Sequence, residues 1–234
     1  MKYIIIGERY RGLLEEPLSA YNCKILWMSD NPDINPNLAG HADLSVFYNY
    51  PEQKLYLAPF IKDTQLHRAL DEINANYEFL NLKQGAFYPN DVQFNIFQSK
   101  NLIIFNPDTA SDRIVQNLSN RALKISVKQG YSRCCTLPAG EESTITSDNG
   151  IYSELIKNNI NALHISQGYI DLPGFKYGFI GGAAINFDNE IAFTGSLDAH
   201  PDKNKILNHL ENNNIKASFL TEHNIFDIGG AIVF

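Results

Sequence analysis

The chain alternates between stretches of helical spacing and short apolar runs. In five stretches the apolar residues recur with the period of an amphipathic helix, often behind a capping residue and before a polar break. Asp108 and Asp148 stand at the N-cap positions of two of these stretches. The pattern predicts five helices, at residues 8–21, 62–76, 109–121, 149–160 and 202–214.

The apolar runs between these helices have the length of β-strands. After each helix we expect a first strand, at residues 23–27, 79–82, 123–127, 162–165 and 217–220. A second strand follows a loop, at residues 43–48, 92–97, 133–137, 179–187 and 228–234. A third strand then leads to the next helix, at residues 54–58, 102–105, 143–146 and 190–194. The fifth copy lacks this third strand, which the apolar run at 3–6 can supply.

Short sequence echoes support a repeat of this unit. A Gln-Gly pair behind an apolar run occurs at Gln84-Gly85, Gln129-Gly130 and Gln167-Gly168. The run Ile180-Gly181-Gly182-Ala183 returns as Ile228-Gly229-Gly230-Ala231. These offsets indicate a period of about 45 residues, which is the length expected of a repeat architecture.

Composition and charge narrow the class of protein. The 234 residues are 44% apolar and 12% aromatic, which is ample for a globular core. A net charge of −7 without any run of Lys or Arg excludes nucleic acid and anionic membranes as the main partner. No segment approaches the roughly 20 apolar residues of a membrane span, and the N-terminal run is too short for a signal peptide. We therefore expect a soluble cytoplasmic protein.

The cysteines and glycines do not form a metal or nucleotide motif. Cys23, Cys134 and Cys135 are an odd set without a framework spacing, as expected in a reducing compartment. No Cys or His pair has zinc-site spacing. The Gly-Gly runs do not match dinucleotide or P-loop patterns, so we interpret them as sites of close backbone packing. The prediction is a chain without cofactor or metal.

This organisation resembles the pentein superfamily, five-bladed β/α propellers. It is also similar to an uncharacterised bacterial family of that fold, through residues 130–134 (GYSRC) and 172–182 (LPGFKYGFIGG). The resemblance implies an α/β fold with pseudo-fivefold symmetry: one domain over residues 1–234, in which five repeats of a helix and three strands are closed by the N-terminal strand. Ring closure removes exposed sheet edges. Superfamily members include arginine and agmatine deiminases, dimethylarginine hydrolases and amidinotransferases, together with non-enzymatic ribosome-associated proteins.

His41 and Asp43 are the first candidates for chemistry. Two residues apart on a strand, their side chains would point to the same face. An imidazole can exchange protons near neutral pH, and a carboxylate beside it can hold a cationic substrate or orient the ring. The pair is similar to the Gly-His-x-Asp run of guanidino-modifying penteins, which implies a general base at His41 and a guanidinium contact at Asp43. The alternative is a solvated loop histidine beside a turn-forming aspartate.

Cys134 is the candidate nucleophile. A nucleophilic cysteine needs thiolate character, which Arg133 or His41 could favour across the channel. Adjacent cysteines on a strand face opposite ways, so only Cys134 or Cys135 can reach the mouth of the channel, and the resemblance favours Cys134. The alternative is that both are small packing residues.

Arg133, Asp227 and Tyr177 are the candidate substrate-binding residues. Arg133 would lower the pKa of the Cys134 thiol or bind a substrate carboxylate, and Asp227 would help to hold a cation. All three lie in or near predicted second strands, whose loops should open onto one mouth of the axial channel.

Two functional hypotheses follow. The first is a cysteine-dependent hydrolase or transferase that acts on a small cationic guanidino, amidino or amine-bearing substrate. The second is a non-catalytic propeller that binds a protein or small ligand. The second draws on a departure from the enzyme pattern, because the last repeat has no cysteine and the fourth has no histidine at the expected place.

Overall fold

Five α-helices and five three-stranded sheets form the part of the chain that the structure, a computed structural model, describes, residues 2–234. The helices are α1 (Arg11–Leu18), α2 (Gln65–Glu72), α3 (Asp112–Val115), α4 (Asn149–Lys157) and α5 (Lys203–Asn212). All five lie within the predicted stretches, and all but α3 cover most of the central turns of their stretch. No helix in residues 2–234 is long and apolar enough to cross a lipid bilayer.

Each sheet combines strands from two successive repeats. The first sheet contains β1 (Lys2–Gly7), β2 (Cys23–Met28) and β15 (Ile232–Val233). The next two contain β3 (Val46–Asn49), β4 (Lys54–Leu57) and β5 (Tyr77–Phe79), and β6 (Phe97–Gln98), β7 (Leu102–Phe105) and β8 (Leu123–Ser126). The last two contain β9 (Thr136–Pro138), β10 (Ser143–Thr146) and β11 (Asn161–His164), and β12 (Ala184–Phe187), β13 (Glu190–Phe193) and β14 (Lys216–Phe219).

The middle strand of each sheet has one antiparallel and one parallel neighbour. In the second sheet, for example, β4 pairs antiparallel with β3 and parallel with β5. A parallel pair needs a crossover connection, and here helix α2 provides it between β4 and β5. The same strand–helix–strand order recurs in the other four sheets of residues 2–234, which explains why the sequence shows one helix per repeat.

The two ends of the chain meet in the first sheet. Strand β15 pairs antiparallel with β1, with Ile4 opposite Val233 and Ile5 opposite Ile232. Pairing between the N-terminal strand and the last repeat is what the sequence predicted. Within residues 2–234, each of the sheets remains an open three-stranded sheet.

The helices pack through one apolar stripe each. Pairs of buried residues four positions apart lie in α2, α4 and α5, namely Leu66 and Leu70, Ile151 and Leu155, and Ile206 and Leu210. This spacing puts both members of a pair on one face of the helix. The apolar face covers the sheet, and the charged residues remain outside.

The third helix is much shorter than the predicted 109–121. Helix α3 covers four residues, and its N-cap is Ser111 rather than Asp108. The side chain of Asn106 accepts a hydrogen bond from the backbone N–H of Asp108, and the Asn106 carbonyl accepts from Thr109 and Ala110. These turn bonds use the backbone groups that a longer helix would need.

The second strands also begin later than predicted, by three to five residues, in all repeats of residues 2–234. The segment predicted as 43–48 begins as a 3-10 turn at Ala42–Leu44, and the strand β3 starts at Val46. The apolar residues of these segments are buried, as predicted, but they lie in turns. Burial without strand geometry is why the apolar pattern misplaced the start of these strands.

Candidate functional site

The candidate site residues lie in the turns that precede the second strands. His41 is the residue before the 3-10 turn, and Asp43 lies inside it. Cys134 and Cys135 lie in a turn before β9. The prediction that His41 and Asp43 share one face of a strand is therefore wrong, and strand alternation is not what separates the two cysteines. Turns can place side chains in directions that a strand cannot.

A cavity of about 300 Å³, called here the first cavity, brings His41, Cys134 and Asp227 together. The three belong to different repeats, and each is about 2% exposed to solvent. The remaining wall is mostly aromatic or apolar and contains Leu38, Tyr131, Leu172, Phe175, Lys176, Tyr177 and Phe179. Tyr177 thus lies in the cavity with the predicted catalytic pair His41 and Cys134.

Cys134 is held by two polar side chains. Its Sγ donates a hydrogen bond to Asp43 Oδ2 at 2.9 Å and accepts one from Asn95 Nδ2 at 3.1 Å. Asn95 Oδ1 also accepts the backbone N–H groups of Arg133 and Cys134. Asn95 therefore fixes both the thiol and the turn that presents it. Sequence reasoning missed Asn95, although it lies just before β6, at the place that His41 and Asp43 occupy before β3.

The surroundings of Cys134 favour the neutral thiol. Burial, the charges of Asp43 and Asp227, and the hydrogen bond to Asp43 raise the pKa of this thiol well above its ordinary value. Burial also raises the pKa of Cys135, which packs against Ile104 and other apolar residues. Cys134 lines the first cavity, whereas Cys135 belongs to the core.

Asp227 is a buried carboxyl group in the wall of the first cavity. Its Oδ2 accepts the N–H of Phe179 at 2.8 Å, and its Oδ1 accepts the N–H of Gly229 at 2.8 Å. A Cβ atom on Gly182 would lie 2.0 Å from Asp227 Oδ1, so only glycine leaves room for the carboxyl group. Burial raises the pKa of Asp227, and the nearby His41 acts in the opposite direction.

His41 lies beside Asp227 with one ring nitrogen free. Its Nδ1 is 3.9 Å from Asp227 Oδ1, which is an electrostatic contact rather than a hydrogen bond. Within residues 2–234, its buried Nε2 has no hydrogen-bond partner. Gly229, at φ +72°, runs so close that a Cβ there would lie 2.3 Å from the Cβ of His41. The ring is thus positioned tightly, and its Nε2 is a buried nitrogen without a partner in residues 2–234.

Asp43 and Arg133 lie behind Cys134, not in the first cavity. Asp43 Oδ2 accepts from Cys134 and, at 3.4 Å, from Arg133 Nη1, while Asp43 Oδ1 has no partner within the described chain. Arg133 Nη2 donates to the carbonyl of Ala231 at 2.5 Å. Arg133 lines a different cavity of about 720 Å³, called here the second cavity. Asp43 therefore lies between the two cavities.

Tyr131 forms one aromatic wall of the first cavity. Its hydroxyl donates a hydrogen bond to Asp91 Oδ2 at 2.5 Å, which fixes the ring. Burial raises the pKa of both Tyr131 and Asp91. In residues 2–234 no group of three or more His, Cys, Asp or Glu side chains is arranged to hold a metal ion.

Comparison with known proteins identifies one family by sequence. A family described as "Family of unknown function (DUF6873)" matches residues 5–232. No curated protein matches the chain at the sequence level.

Solved structures with a similar fold have 7–12% sequence identity to the chain. An arginine dihydrolase from the ornithine–ammonia cycle in cyanobacteria has a TM-score of 0.55 at 12% identity, over 93% of this chain and 36% of that one. The chain therefore spans about a third of the dihydrolase. A dimethylarginine dimethylaminohydrolase variant, in an adduct with S-methyl-L-thiocitrulline, has a TM-score of 0.55 at 11% identity over 99% of both chains. An amidinotransferase of the saxitoxin biosynthetic pathway from Microseira wollei has a TM-score of 0.53 at 7% identity, over 93% of this chain and 88% of that one.

Proposed function

The chain belongs to the family of unknown function DUF6873 and has the fold of the pentein superfamily, and from this premise we propose a cysteine-dependent hydrolase or transferase. Its substrate is a small cation with a guanidino, amidino or amine group. The observation that supports this most directly is the first cavity, where a thiol, an imidazole and a buried carboxyl group meet below aromatic walls.

The first cavity suits a small organic cation. Asp227 supplies a carboxyl group whose pKa is raised by burial, so a bound cation would stabilise its charged form. The faces of Tyr131, Tyr177 and Phe179 can attract a cation through their π-electrons. The similar structures are named as enzymes that act on arginine or dimethylarginine or that transfer amidino groups. Their names support a guanidino or amidino compound as the substrate of this protein.

Binding of the cation prepares Cys134 for attack. At rest, the carboxyl groups of Asp43 and Asp227 hold the thiol in its protonated form. A positive charge beside Sγ lowers the pKa of the thiol, and the free Nε2 of His41 accepts the proton. The catalytic roles are therefore nucleophile for Cys134, proton carrier for His41 and cation binding for Asp227.

The proposed reaction has two steps, formation of an S-linked intermediate and its attack by water or an amine. Thiolate attack forms an S–C bond at the amidino carbon, and the π-electron pair moves to a nitrogen. Loss of ammonia or an amine, which takes a proton from His41, breaks a C–N bond and leaves an S-linked intermediate. Water, or an amine acceptor in a transferase, then attacks the same carbon, transfers a proton to His41 and releases Cys134.

Asp43 has a different position in this proposal from the one expected from sequence. It lies behind Cys134 and hydrogen-bonds the thiol, so its effect on the substrate passes through Cys134 and Arg133. Arg133 contacts Asp43 Oδ2 at 3.4 Å from the side of the second cavity. Tyr177 remains in the substrate-binding group.

We also propose that residues 1–234 act as one unit, in which the sheets stand as five blades around an axis. The pairing of β15 with β1 supports a closed order of the blades. The second cavity supports it further, because one strand of each sheet contributes to its wall, through Phe47, Phe97, Leu137, Ala184 and Ile232. The acidic net charge and the size of the first cavity favour a small molecule over nucleic acid or membrane as the partner.

One observation favours the alternative, a non-catalytic protein that binds a small cation. Cys134 donates a hydrogen bond to Asp43, burial and two carboxyl groups raise its pKa, and within residues 2–234 no Lys or Arg side chain hydrogen-bonds the sulfur. In that case the thiol is only a packing group at the base of a binding cavity.

Measurement of released products distinguishes the proposed enzyme from the non-catalytic binding protein. A panel of guanidino, amidino and amine compounds is incubated with the protein, and ammonia, urea and amines are measured. The proposal predicts turnover of at least one member and its loss in Cys134→Ser, with activity retained in the matched variant Cys135→Ser. Turnover that is unchanged in Cys134→Ser would exclude the nucleophile. Saturable binding of a cation with no product from any member would favour the alternative.

A further inference from the structure

The second cavity is a separate space with the dimensions of a ligand site. Its volume of about 720 Å³ lies within the range of about 300–1,000 Å³ that is typical of small-molecule pockets. It lies on the Arg133 side of Asp43, whereas the first cavity lies on the Cys134 side. The proposed reaction in the first cavity does not use this space.

Arg133 presents unused hydrogen-bond donors to the second cavity. A guanidinium group has five N–H donors. In residues 2–234 Arg133 uses one for Ala231 and a second, over a long 3.4 Å, for Asp43, and its side chain is 22% exposed. Gly230, at φ +59°, makes room for this group, because a Cβ there would lie 2.4 Å from Arg133 Nη1. The fold therefore keeps the guanidinium at the inner end of the cavity with donors to spare.

The wall of the second cavity adds further polar groups. Gln98, Thr136 and Asn186 line it, and each has a buried side-chain oxygen without a hydrogen-bond partner in the described chain. Buried polar groups normally find partners, and rotation of these side chains toward the cavity would let a polar ligand supply them. Asn213 and Asn214 extend this wall toward the opening.

Charged groups at the rim neutralise one another. Lys100 pairs with Glu141, and Asp188 pairs with Lys2. Arg133 shares its charge with Asp43 over 3.4 Å and still has unused guanidinium donors within residues 2–234. Because Asp43 already offsets most of this charge, a monoanion suits the site better than a doubly charged group.

We propose that the second cavity is a binding site for a small polyhydroxylated carboxylate. Arg133 receives the carboxylate, since the guanidinium fork matches its geometry. The side chains of Gln98, Thr136 and Asn186 hydrogen-bond the hydroxyl groups. This site is distinct from the proposed substrate site and does not depend on the reaction there.

An NMR titration with gluconate tests the site, with sorbitol as the uncharged control of similar shape. We expect saturable shifts at millimolar gluconate for residues that line the second cavity, such as Phe97 and Val233. Sorbitol should bind at least about tenfold more weakly, because it lacks the charge-assisted hydrogen bonds to Arg133. Equal binding of the two compounds, or gluconate shifts centred on Leu172 of the first cavity, would overturn the proposal.

Variants locate the site independently. Arg133→Gln should weaken gluconate binding at least about tenfold, but it also leaves the buried Asp43 without its counter-charge and can unfold the chain. Asn186→Leu therefore serves as a second variant, which narrows the cavity and leaves the Arg133–Asp43 pair in place. Lys62→Gln, an exposed lysine far from the wall, is the matched control for loss of one positive charge and should bind normally. Unchanged binding in Asn186→Leu would contradict the site.

Discussion

Burial and two neighbouring carboxyl groups keep the Cys134 thiol protonated in the resting state of the first cavity. Burial raises the pKa of the thiol most, and the charges of Asp43, at 2.9 Å, and of Asp227 raise it further. A reactive thiol usually lies beside positive charge. In the proposed mechanism the positive charge comes from the substrate, which limits reaction to molecules that bring it.

Replacing Asp43 tests that electrostatic role. Asp43→Asn removes the negative charge beside Sγ, so the pKa of Cys134 should fall and alkylation by iodoacetamide at neutral pH should become several-fold faster. The pH dependence of alkylation, followed by mass spectrometry of the Cys134 peptide, measures the change. Asp91→Asn is the matched control, because Asp91 is equally buried but is not among the groups that raise the pKa of Cys134. If the pKa of Cys134 is unchanged in Asp43→Asn, then Asp43 does not influence the protonation of the thiol.

A glycine substitution tests how Asp227 is held. Gly182→Ala would place a Cβ 2.0 Å from Asp227 Oδ1, and moving the carboxyl group away would break its hydrogen bonds from the N–H groups of Phe179 and Gly229. We expect a loss of about 1–3 kcal/mol in the free energy of unfolding, together with weaker cation binding. Chemical denaturation measures the first effect and calorimetry the second.

Gly12 provides the matched control in helix α1. Within residues 2–234, a Cβ at Gly12 meets no atom within 4 Å. Gly12→Ala should therefore stabilise the protein by about 0.5–1 kcal/mol through helix propensity. Equal effects of the two substitutions would contradict the packing account of Gly182.

For individual residues, the sequence predicted the functional groups of the first cavity better than it predicted their positions. His41 and Cys134 were selected for their functional groups, and the fold brings both to one cavity. Asp227, which was predicted to help hold a cation, lines the cavity, whereas Asp43, which was predicted as the main cation contact, lies behind the thiol. Strand spacing could not reveal this, because both residues lie outside the strands.

Among the elements, the middle strands were predicted most accurately. The predicted ranges 102–105 and 143–146 are those of β7 and β10, which are buried on both faces and read as continuous β-forming runs. The second strands were predicted too long because buried turns contain the same apolar residues as strands. Those turns carry His41 and Cys134, so the least predictable segments hold the candidate site.

Two aspartates that look alike in sequence should differ in their effect on helix stability. Asp148 caps α4, where its Oδ1 accepts the N–H of Ile151 at 2.8 Å. Asp108 is exposed and precedes a turn. Asp148→Ala should cost about 1–2 kcal/mol in the free energy of unfolding, whereas Asp108→Ala should have almost no effect. Denaturant titration of both variants checks this, and a larger loss from Asp108→Ala would refute the assignment of the caps.

For the whole molecule, the pairing of β1 with β15 joins the ends of the chain. Ile4 and Ile5 are fully buried, and Ile232 is 4% exposed, so the contact is part of the core. The sequence predicted this pairing because the last repeat lacked a third strand and the apolar run at residues 3–6 could supply it. It could not predict the register, which depends on backbone geometry that turns impose.

Removing the last strand tests the importance of this contact. Deletion of residues 232–234 exposes the edge of β1 and its buried isoleucines, and we expect Tm to fall on the order of 10 °C. Phe234→Ala is the milder control: it keeps the backbone bonds between Tyr3 and Phe234 and loses only the stacked ring. Calorimetry measures both variants. A deletion no more harmful than Phe234→Ala would show that the ends do not contribute to the common core.

The proposed reaction requires that a cation in the first cavity activates Cys134. The most direct measurement compares the rates at which 2-chloroacetamidine, a cation, and 2-chloroacetamide, its neutral analogue, alkylate Cys134. In both reactions the sulfur displaces chloride, and the rates are normalised to those with free cysteine. We predict at least about tenfold faster reaction with the amidine after normalisation, and loss of this preference in Asp227→Asn. Equal normalised rates for the two reagents, or faster reaction with the amide, would contradict it.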